Sequence, residues 1–209
     1  MRTIVSLLTI AALSGCMSIT ATEPSICDGQ SMTWAMPTIP AVPTKDITWV
    51  NGNCKVVGTG YAIPVIPSVT QSITVDLSSG INQVTQNLDS YTINLTELAL
   101  DNLSVTNFGD WATVNVVGSM EAKGLPTHTF SYAVPHGVVT ELTFDPGMTA
   151  DEIVAYFSSG PVTLSFTLNI KLDDACGAAQ YVEAFGKQTA LTASADVCVS
   201  ANGSVSKSL

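Results

Sequence analysis

The chain has 209 residues, enough for one domain with a substantial core, and its seventeen carboxylates outnumber seven basic side chains to give a net charge of −10. Nucleic-acid binding usually needs a basic patch, and arginine is the side chain best suited to paired phosphate contacts. Because Arg2 is the only arginine, the composition excludes nucleic acid and anionic lipid surfaces as direct partners. Apolar residues make up 46% of the chain, too many for a disordered acidic segment.

The first fifteen residues, 1–15, have the layout of an export signal. Arg2 supplies a positive start, residues 4–13 form an apolar run, and two small residues precede Cys16. An apolar run of about ten residues is about half the length that crosses a bilayer as a helix. The segment therefore predicts a cleaved secretory signal.

The sequence Leu13-Ser14-Gly15-Cys16 resembles the lipobox of bacterial lipoproteins, and the resemblance is confined to the signal and its acceptor cysteine. It implies cleavage before Cys16 and a diacylglycerol thioether, with acyl chains such as palmitate, on that residue. Each buried methylene contributes about 0.8 kcal/mol, so two or three chains hold a protein firmly at a bilayer. Met17 stands where enteric bacteria use aspartate for inner-membrane retention. The resemblance therefore implies an outer-membrane protein whose membrane partner is reached through Cys16.

After the signal, residues 16–26 are predicted to be a lipidated polar tether and residues 27–209 a single domain. The first part of that domain, 28–67, is punctuated by prolines at three-residue spacing, which is typical of an extended polyproline-type segment. We interpret it as an arm packed along the domain and anchored by Trp34 and Trp49. A ligand for a proline-recognising partner is the alternative.

From residue 69 onward, apolar and polar residues alternate with the period of two expected for half-buried antiparallel strands. The clearest alternation runs from 162 to 172, which predicts a strand at the centre of the core. Changes of phase near Glu97 and Asp101 predict β-bulges or strand ends. About eight strands with regular turn signals predict an all-β, antiparallel β-sandwich, with a closed β-barrel as the alternative.

Helical signals are short and few. Thr149 and Glu152 have the spacing of a capping box, which predicts one short helix near 149–158. Apolar residues at helical spacing over 81–88 predict one or two further helical turns. The segment 175–186 is expected to be a loop.

Four cysteines follow the lipobox, at Cys27, Cys54, Cys176 and Cys198. An even number in an exported chain predicts two disulfides. The pairing Cys27–Cys54 with Cys176–Cys198 is favoured because each bond closes a short loop. The alternative, Cys27–Cys198 with Cys54–Cys176, would join the two ends of the domain. No C-x-x-C pair is present, which argues against a zinc site.

The sequence contains no recognisable catalytic constellation. No serine lies in a G-x-S-x-G motif. His128, which shares a strand face with aromatic residues, is interpreted as a packing residue, and His136 as a turn residue. We therefore expect a protein without enzymatic activity.

Carboxylates at strand ends are the only candidate metal ligands. Asp145, Asp173 and Asp174 are weak candidates for calcium, without the spacing of an EF-hand, and no other metal or cofactor is expected. The pairs Asp173-Asp174 and Asp151-Glu152 are adjacent in sequence. Adjacency alone does not make the separated pair that a glycosidase requires.

These observations lead to one main hypothesis of function and two alternatives. The main hypothesis is a lipid-anchored cell-envelope protein that acts as a binding or structural module, with an envelope protein or a glycan as its partner. An envelope hydrolase is the first alternative. The second is a carbohydrate-binding module that uses exposed aromatic residues such as Trp34, Trp49 or Trp111.

Overall fold

The computed structural model describes residues 17–101, 111–134, 141–186 and 190–207. Within these ranges the chain forms ten strands and three helices. The strands are β1 (Met17–Ala35), β2 (Ile47–Val50), β3 (Asn53–Val56), β4 (Val69–Val75), β5 (Ser90–Asp101), β6 (Ala112–Glu121), β7 (His128–Val134), β8 (Glu141–Thr143), β9 (Val162–Leu172) and β10 (Ala190–Lys207). The helices are α1 (Ser78–Asn87), α2 (Ala150–Ser158) and α3 (Ala175–Phe185).

Two antiparallel sheets pack against each other around a shared apolar core. The first sheet has the strand order β1-β10-β5-β8, the second has the order β4-β9-β6-β7, and β2 and β3 form a separate hairpin. The predicted antiparallel sandwich is confirmed, and the sheets do not close into a barrel. The described part of the chain has more strands than the eight expected because β1, β2 and β3 lie where the sequence suggested a tether and an arm.

The predicted tether over 16–26 and the first part of the arm predicted over 28–67 are wrong, because β1 already begins at Met17. β1 pairs with β10 along its whole length except at a register shift between Glu23 and Ile26. Pro24 lies in that shift, and proline is tolerated at a bulge on an edge strand because it has no N–H to donate. Its presence in a polar stretch is what made this strand resemble a tether.

The predicted strand at 162–172 is confirmed as β9, an inner strand of the second sheet. Its inward side chains, which include Phe166 and Leu168, are all buried. Its other face carries polar residues that pair with β4, where the hydroxyls of Thr70 and Thr167 lie 2.8 Å apart. Because successive side chains point to opposite faces of a strand, the alternating sequence of β9 gives one apolar face in the core and one face that carries hydroxyl groups.

The alternation of apolar and polar residues in β5 changes near Glu97 because of a β-bulge and stops at Asp101 because the strand ends there, as predicted. The pairing of β5 with β10 shifts by one residue, so that Cys198 faces Glu97 whereas Val199 faces Leu95. Thr96 is the extra residue of this bulge, and the strand ends at Asp101. The bulge lets one long strand keep apolar residues on the core side on both sides of the irregularity.

Two of the three helices match the sequence pattern. α2 has the predicted capping box, in which Thr149 accepts from the Glu152 N–H and donates its own N–H to the Glu152 carboxylate at 2.7 Å. The Glu152 carboxylate accepts from both the N–H and the hydroxyl of Thr149, and these two hydrogen bonds hold the pKa of Glu152 below its usual range. α1 covers ten residues and buries Ile81 and Val84. No helix in the described ranges is long and apolar enough to span a bilayer.

The expectation of a loop at 175–186 is wrong, because this segment forms α3. Ala178, Tyr181 and Phe185 lie on one buried face at spacings of three and four, so the helical pattern was present. Gly177, a poor helix former, obscured it. The helix needs a glycine there, because a Cβ atom would lie 2.4 Å from the Trp111 carbonyl oxygen.

We expect Phe166→Ala to lower the free energy of unfolding by about 3–5 kcal/mol, because it leaves a cavity in the core. Phe166 is fully buried, and its ring lies 6.1 Å from that of Phe130 and 5.7 Å from that of Phe144. Thr167→Ala is the matched control, since it removes only an outer hydrogen bond worth about 0.5–1.5 kcal/mol. Denaturant unfolding of both variants measures the difference. Equal losses would mean that both faces of β9 are covered.

Candidate binding cleft

Both disulfides link segments that are distant in the sequence. Cys27 on β1 and Cys198 on β10 are directly opposite each other, with Cα atoms 4.2 Å apart. Cys54 on β3 is bonded to Cys176 in α3. Two disulfides are confirmed, and they fit a protein of an oxidising compartment outside the cytoplasm. The favoured local pairing is wrong, because the pairing of β1 with β10 brings Cys27 to Cys198 and the position of the β2–β3 hairpin beside α3 brings Cys54 to Cys176.

The Cys54–Cys176 bond fixes the β2–β3 hairpin against α3. Asn51 and Gly52 form the tip of the hairpin, with positive φ angles of 52° and 80°. Positive φ at both residues is typical of the two-residue turn whose twist matches that of the flanking strands. Trp49 faces Cys54 across the two strands. It therefore lies on the hairpin face that carries the disulfide, with 50% of its surface exposed.

A polar cleft of about 480 Å³ lies where the hairpin, the end of β9 and the start of α3 meet. We call it the Trp111 cleft. It is lined by Gly52, Asn53, Cys54, Trp111, Asp173, Asp174, Cys176 and Gln180.

Short-range contacts hold the walls of the Trp111 cleft in place. The Asp173 N–H donates to the Trp111 carbonyl oxygen at 3.3 Å. The Trp111 ring meets Tyr181 of α3 in an edge-to-face contact, with centroids 6.5 Å apart and planes at 83°. Asp174 caps α3 by accepting from the Gly177 N–H at 2.9 Å. The Trp111 ring and the Asp174 carboxylate are thus positioned by contacts within the protein, and Asp173 is held through its backbone.

The Trp111 cleft is rich in hydrogen-bond acceptors and negatively charged. Asp173 and Asp174 contribute carboxylates, and Asn53 and Gln180 contribute amides that both donate and accept. None of its described lining residues is a lysine or a histidine. Such a site favours a neutral or cationic ligand with many hydroxyl groups over a phosphate or a carboxylate.

The three calcium candidates do not come together. Asp145 lines a second cleft, of about 360 Å³, between β5 and α2, and its carboxylate accepts from the Gly147 N–H at 2.8 Å. Asp173 and Asp174 line the Trp111 cleft instead. Within the described ranges, no group of three or more metal-ligating side chains occurs.

Two other candidate residues, His128 and Trp34, are not among the described residues that line the Trp111 cleft. His128 is half-buried on β7, and its Nε2 contacts the Pro146 carbonyl oxygen. Trp34 is fully buried and cannot contact a ligand, in contrast to Trp49 and Trp111. Cys16 and His136 lie outside the described residues.

Two lining residues of the Trp111 cleft, Asn53 and Gln180, were not among the predicted site residues. Asn51-Gly52 between two runs of strand-forming residues was the available signal for the hairpin that carries Asn53. No local pattern connects Gln180 with it, because only the fold of α3 brings the two segments together.

Comparison with known proteins adds little to this description. No family model and no curated protein matches the chain. A solved chain from desmodium yellow mottle tymovirus aligns over 99% of both chains, with 8% identity and a TM-score of 0.27. Similarity at that level supports neither a shared fold nor a shared function.

We expect peptide mapping of the unreduced protein to yield two cross-linked species, Cys27–Cys198 and Cys54–Cys176. The register of β1 against β10 and the contact of the hairpin with α3 bring these sulfurs together. Thiol labelling before reduction should modify none of the four. Recovery of a Cys27–Cys54 peptide from protein extracted under non-reducing conditions would contradict the sheet order described here.

We expect stability to fall between about pH 10 and pH 12 because of Tyr181. Burial raises the pKa of Tyr181 to about 12, whereas tyrosine in an unfolded chain has a pKa of about 10. The unfolded chain therefore loses this proton first, and the stabilisation present below pH 10 is lost as pH rises. Thermal unfolding from about pH 9.5 to 11.5 measures the slope.

Tyr181→Phe is the control for that slope. The variant loses the hydrogen bond from the Tyr181 hydroxyl to the Pro37 carbonyl oxygen, at 2.8 Å, and should be less stable at neutral pH. Its stability should then decline less steeply in alkali. Identical slopes in the two proteins would show that Tyr181 is not the responsible group.

Proposed function

We propose that the protein is a lipid-anchored binding module of the bacterial outer membrane, without enzymatic activity. In this proposal, acyl chains on Cys16 hold the domain at the membrane and the Trp111 cleft is presented to the ligand. One observation carries the proposal: β1 begins at Met17, the residue after Cys16, and its other end lies next to α3, which forms part of the cleft.

The two ends of β1 are far apart. Met17 pairs with Lys207 at one end, and Ala35 pairs with Ala190 at the other. Nineteen residues of strand correspond to as much as about 60 Å at about 3.3 Å per residue. A domain anchored at Cys16 without an intervening tether would therefore have one fixed end near the bilayer and one remote end.

The Trp111 cleft belongs to the remote end. Ala190 follows closely after α3, which carries Cys176 and Gln180. The same helix contacts Pro37, two residues beyond the end of β1, through the Tyr181 hydroxyl. A cleft in this position would face away from the membrane, where a ligand of the envelope or the surroundings can reach it.

The charge of the domain agrees with attachment through lipid and not through protein side chains. The chain has a net charge of −10 and would be repelled by anionic headgroups. Acyl chains on one cysteine supply an attraction that does not depend on charge, since it scales with buried methylenes.

We expect Cys16→Ser to move the protein from the membrane fraction to the soluble fraction and to abolish labelling by radioactive palmitate. The thioether needs the thiol of Cys16, and the acidic domain has no other means of attachment in this proposal. Ser14→Ala is the control, because it keeps a small residue in the signal and should still be labelled. Equal labelling of the wild type and Cys16→Ser would rule out lipidation at this residue.

A further inference from the structure

We infer that the Trp111 cleft binds a neutral oligosaccharide. This inference rests on the proposed role as a binding module and names its ligand class, but it does not depend on the lipid anchor. It is argued from the aromatic residues, the polar residues and the charge of the cleft.

The indole of Trp111 offers a surface on which a sugar can stack. Sugar rings present patches of C–H bonds with partial positive charge, and these pack against the negative face of an aromatic ring. The Tyr181 ring packs edge-to-face against the Trp111 ring, with centroids 6.5 Å apart, and the hydrogen bond from the Asp173 N–H holds the Trp111 backbone. Because the ring is ordered in advance, little conformational entropy is lost when a sugar stacks on it.

The polar residues that line the Trp111 cleft can form hydrogen bonds with several sugar hydroxyls. Carboxylates accept hydrogen bonds from neighbouring sugar hydroxyls, and amides can donate to and accept from the same sugar. Asp173, Asn53 and Gln180 supply these groups around one cavity of about 480 Å³, which lies within the usual range for small-ligand sites. Asp174 already caps α3, so one of its oxygens is engaged with the protein.

The charge of the Trp111 cleft disfavours acidic sugars. Two carboxylates line the Trp111 cleft, and no cationic side chain occurs among its described lining residues. A uronic acid, a sialic acid or a phosphorylated sugar would bring negative charge towards Asp173 and Asp174 with no counter-charge in the cleft. The cleft therefore disfavours acidic sugars, and we take a neutral sugar as its ligand because the polar lining residues offer hydrogen-bond partners for sugar hydroxyls.

The exposed ring of Trp49 indicates a ligand that is longer than one sugar. Trp49 lies on the hairpin face that carries Cys54, and Cys54 lines the cleft. Half of the Trp49 surface is exposed, which is unusual for the largest apolar side chain. It offers a second stacking platform next to the cleft, so that a chain of several sugars is held better than a monosaccharide.

The test is a calorimetric titration of the protein, purified from whichever cell fraction contains it, with cellotetraose, fully N-acetylated chitotetraose, maltotetraose and a hyaluronan tetrasaccharide. At least one neutral tetrasaccharide should bind, and the acidic hyaluronan fragment should not. Trp111→Ala should weaken that binding on the order of tenfold, the loss expected when a stacking contact is removed. Trp49→Ala should weaken binding of the tetrasaccharide more than binding of the matching disaccharide.

Two further variants keep the test informative if Trp111→Ala fails to fold. Asn53→Ala and Gln180→Ala change half-exposed or exposed polar residues of the cleft and should each weaken binding several-fold with unchanged thermal unfolding. Tyr91→Ala is the matched control, because Tyr91 is an exposed aromatic residue on β5 and is not among the residues that line the cleft.

Three outcomes would overturn the inference. The first is the absence of binding to every neutral tetrasaccharide at millimolar concentration, the second is tighter binding of the hyaluronan fragment, and the third is binding that Trp111→Ala, Asn53→Ala and Gln180→Ala leave unchanged. Release of shorter sugars during the titration would instead overturn the non-enzymatic role while supporting the site. A failure of the anchor appears separately, as unchanged fractionation of Cys16→Ser, and leaves the titration of purified protein interpretable.

Discussion

The packing of the two sheets depends on Trp34. Its indole is fully buried, and its Nε1–H donates to the Phe166 carbonyl oxygen at 3.2 Å, from β1 of the first sheet to β9 of the second. An indole buries about 150–250 Å², and an unpaired buried donor would cost about 1–3 kcal/mol. The contact therefore fixes how the sheets face each other. It also fixes the place of Pro37, three residues further on, against which α3 and one wall of the Trp111 cleft are positioned.

The features that the sequence predicted well are those encoded by residues close together in the chain. The alternation in β9, the capping box at Thr149 and the bulge near Glu97 each depend on fewer than about a dozen consecutive residues, and periodicity detects such patterns. Partial burial, as for the outer face at Thr167, also follows from alternation alone. The sandwich itself is the sum of these local patterns, so its class was predictable even though its strand order was not.

What escaped prediction depends on contacts between distant residues. β1 forms a strand because it pairs with β10, and Cys27 is bonded to Cys198, which lies 171 residues away in the sequence. The Trp111 cleft combines a hairpin, a strand end and a helix from three separate parts of the chain. Its carboxylates could be identified as exposed strand-end residues, but their association with Trp111 could not, because no short pattern encodes it. Gly177 shows the same limit, since the close approach that requires it is tertiary.

The strand order has a consequence for the sequence of events during folding. The two longest late strands, β9 and β10, are each an inner strand of their sheet. A chain that emerges from its amino end therefore exposes β1, β4, β5 and β6 before the strands that join them exist. The second sheet cannot be completed until β9 has emerged, and the first sheet cannot be completed until β10 has emerged. Long-range pairing of this kind is slow, and open strand edges invite aggregation in the interval. A chain cut short before residue 190 lacks β10, so its first sheet would stay divided instead of forming a smaller stable domain.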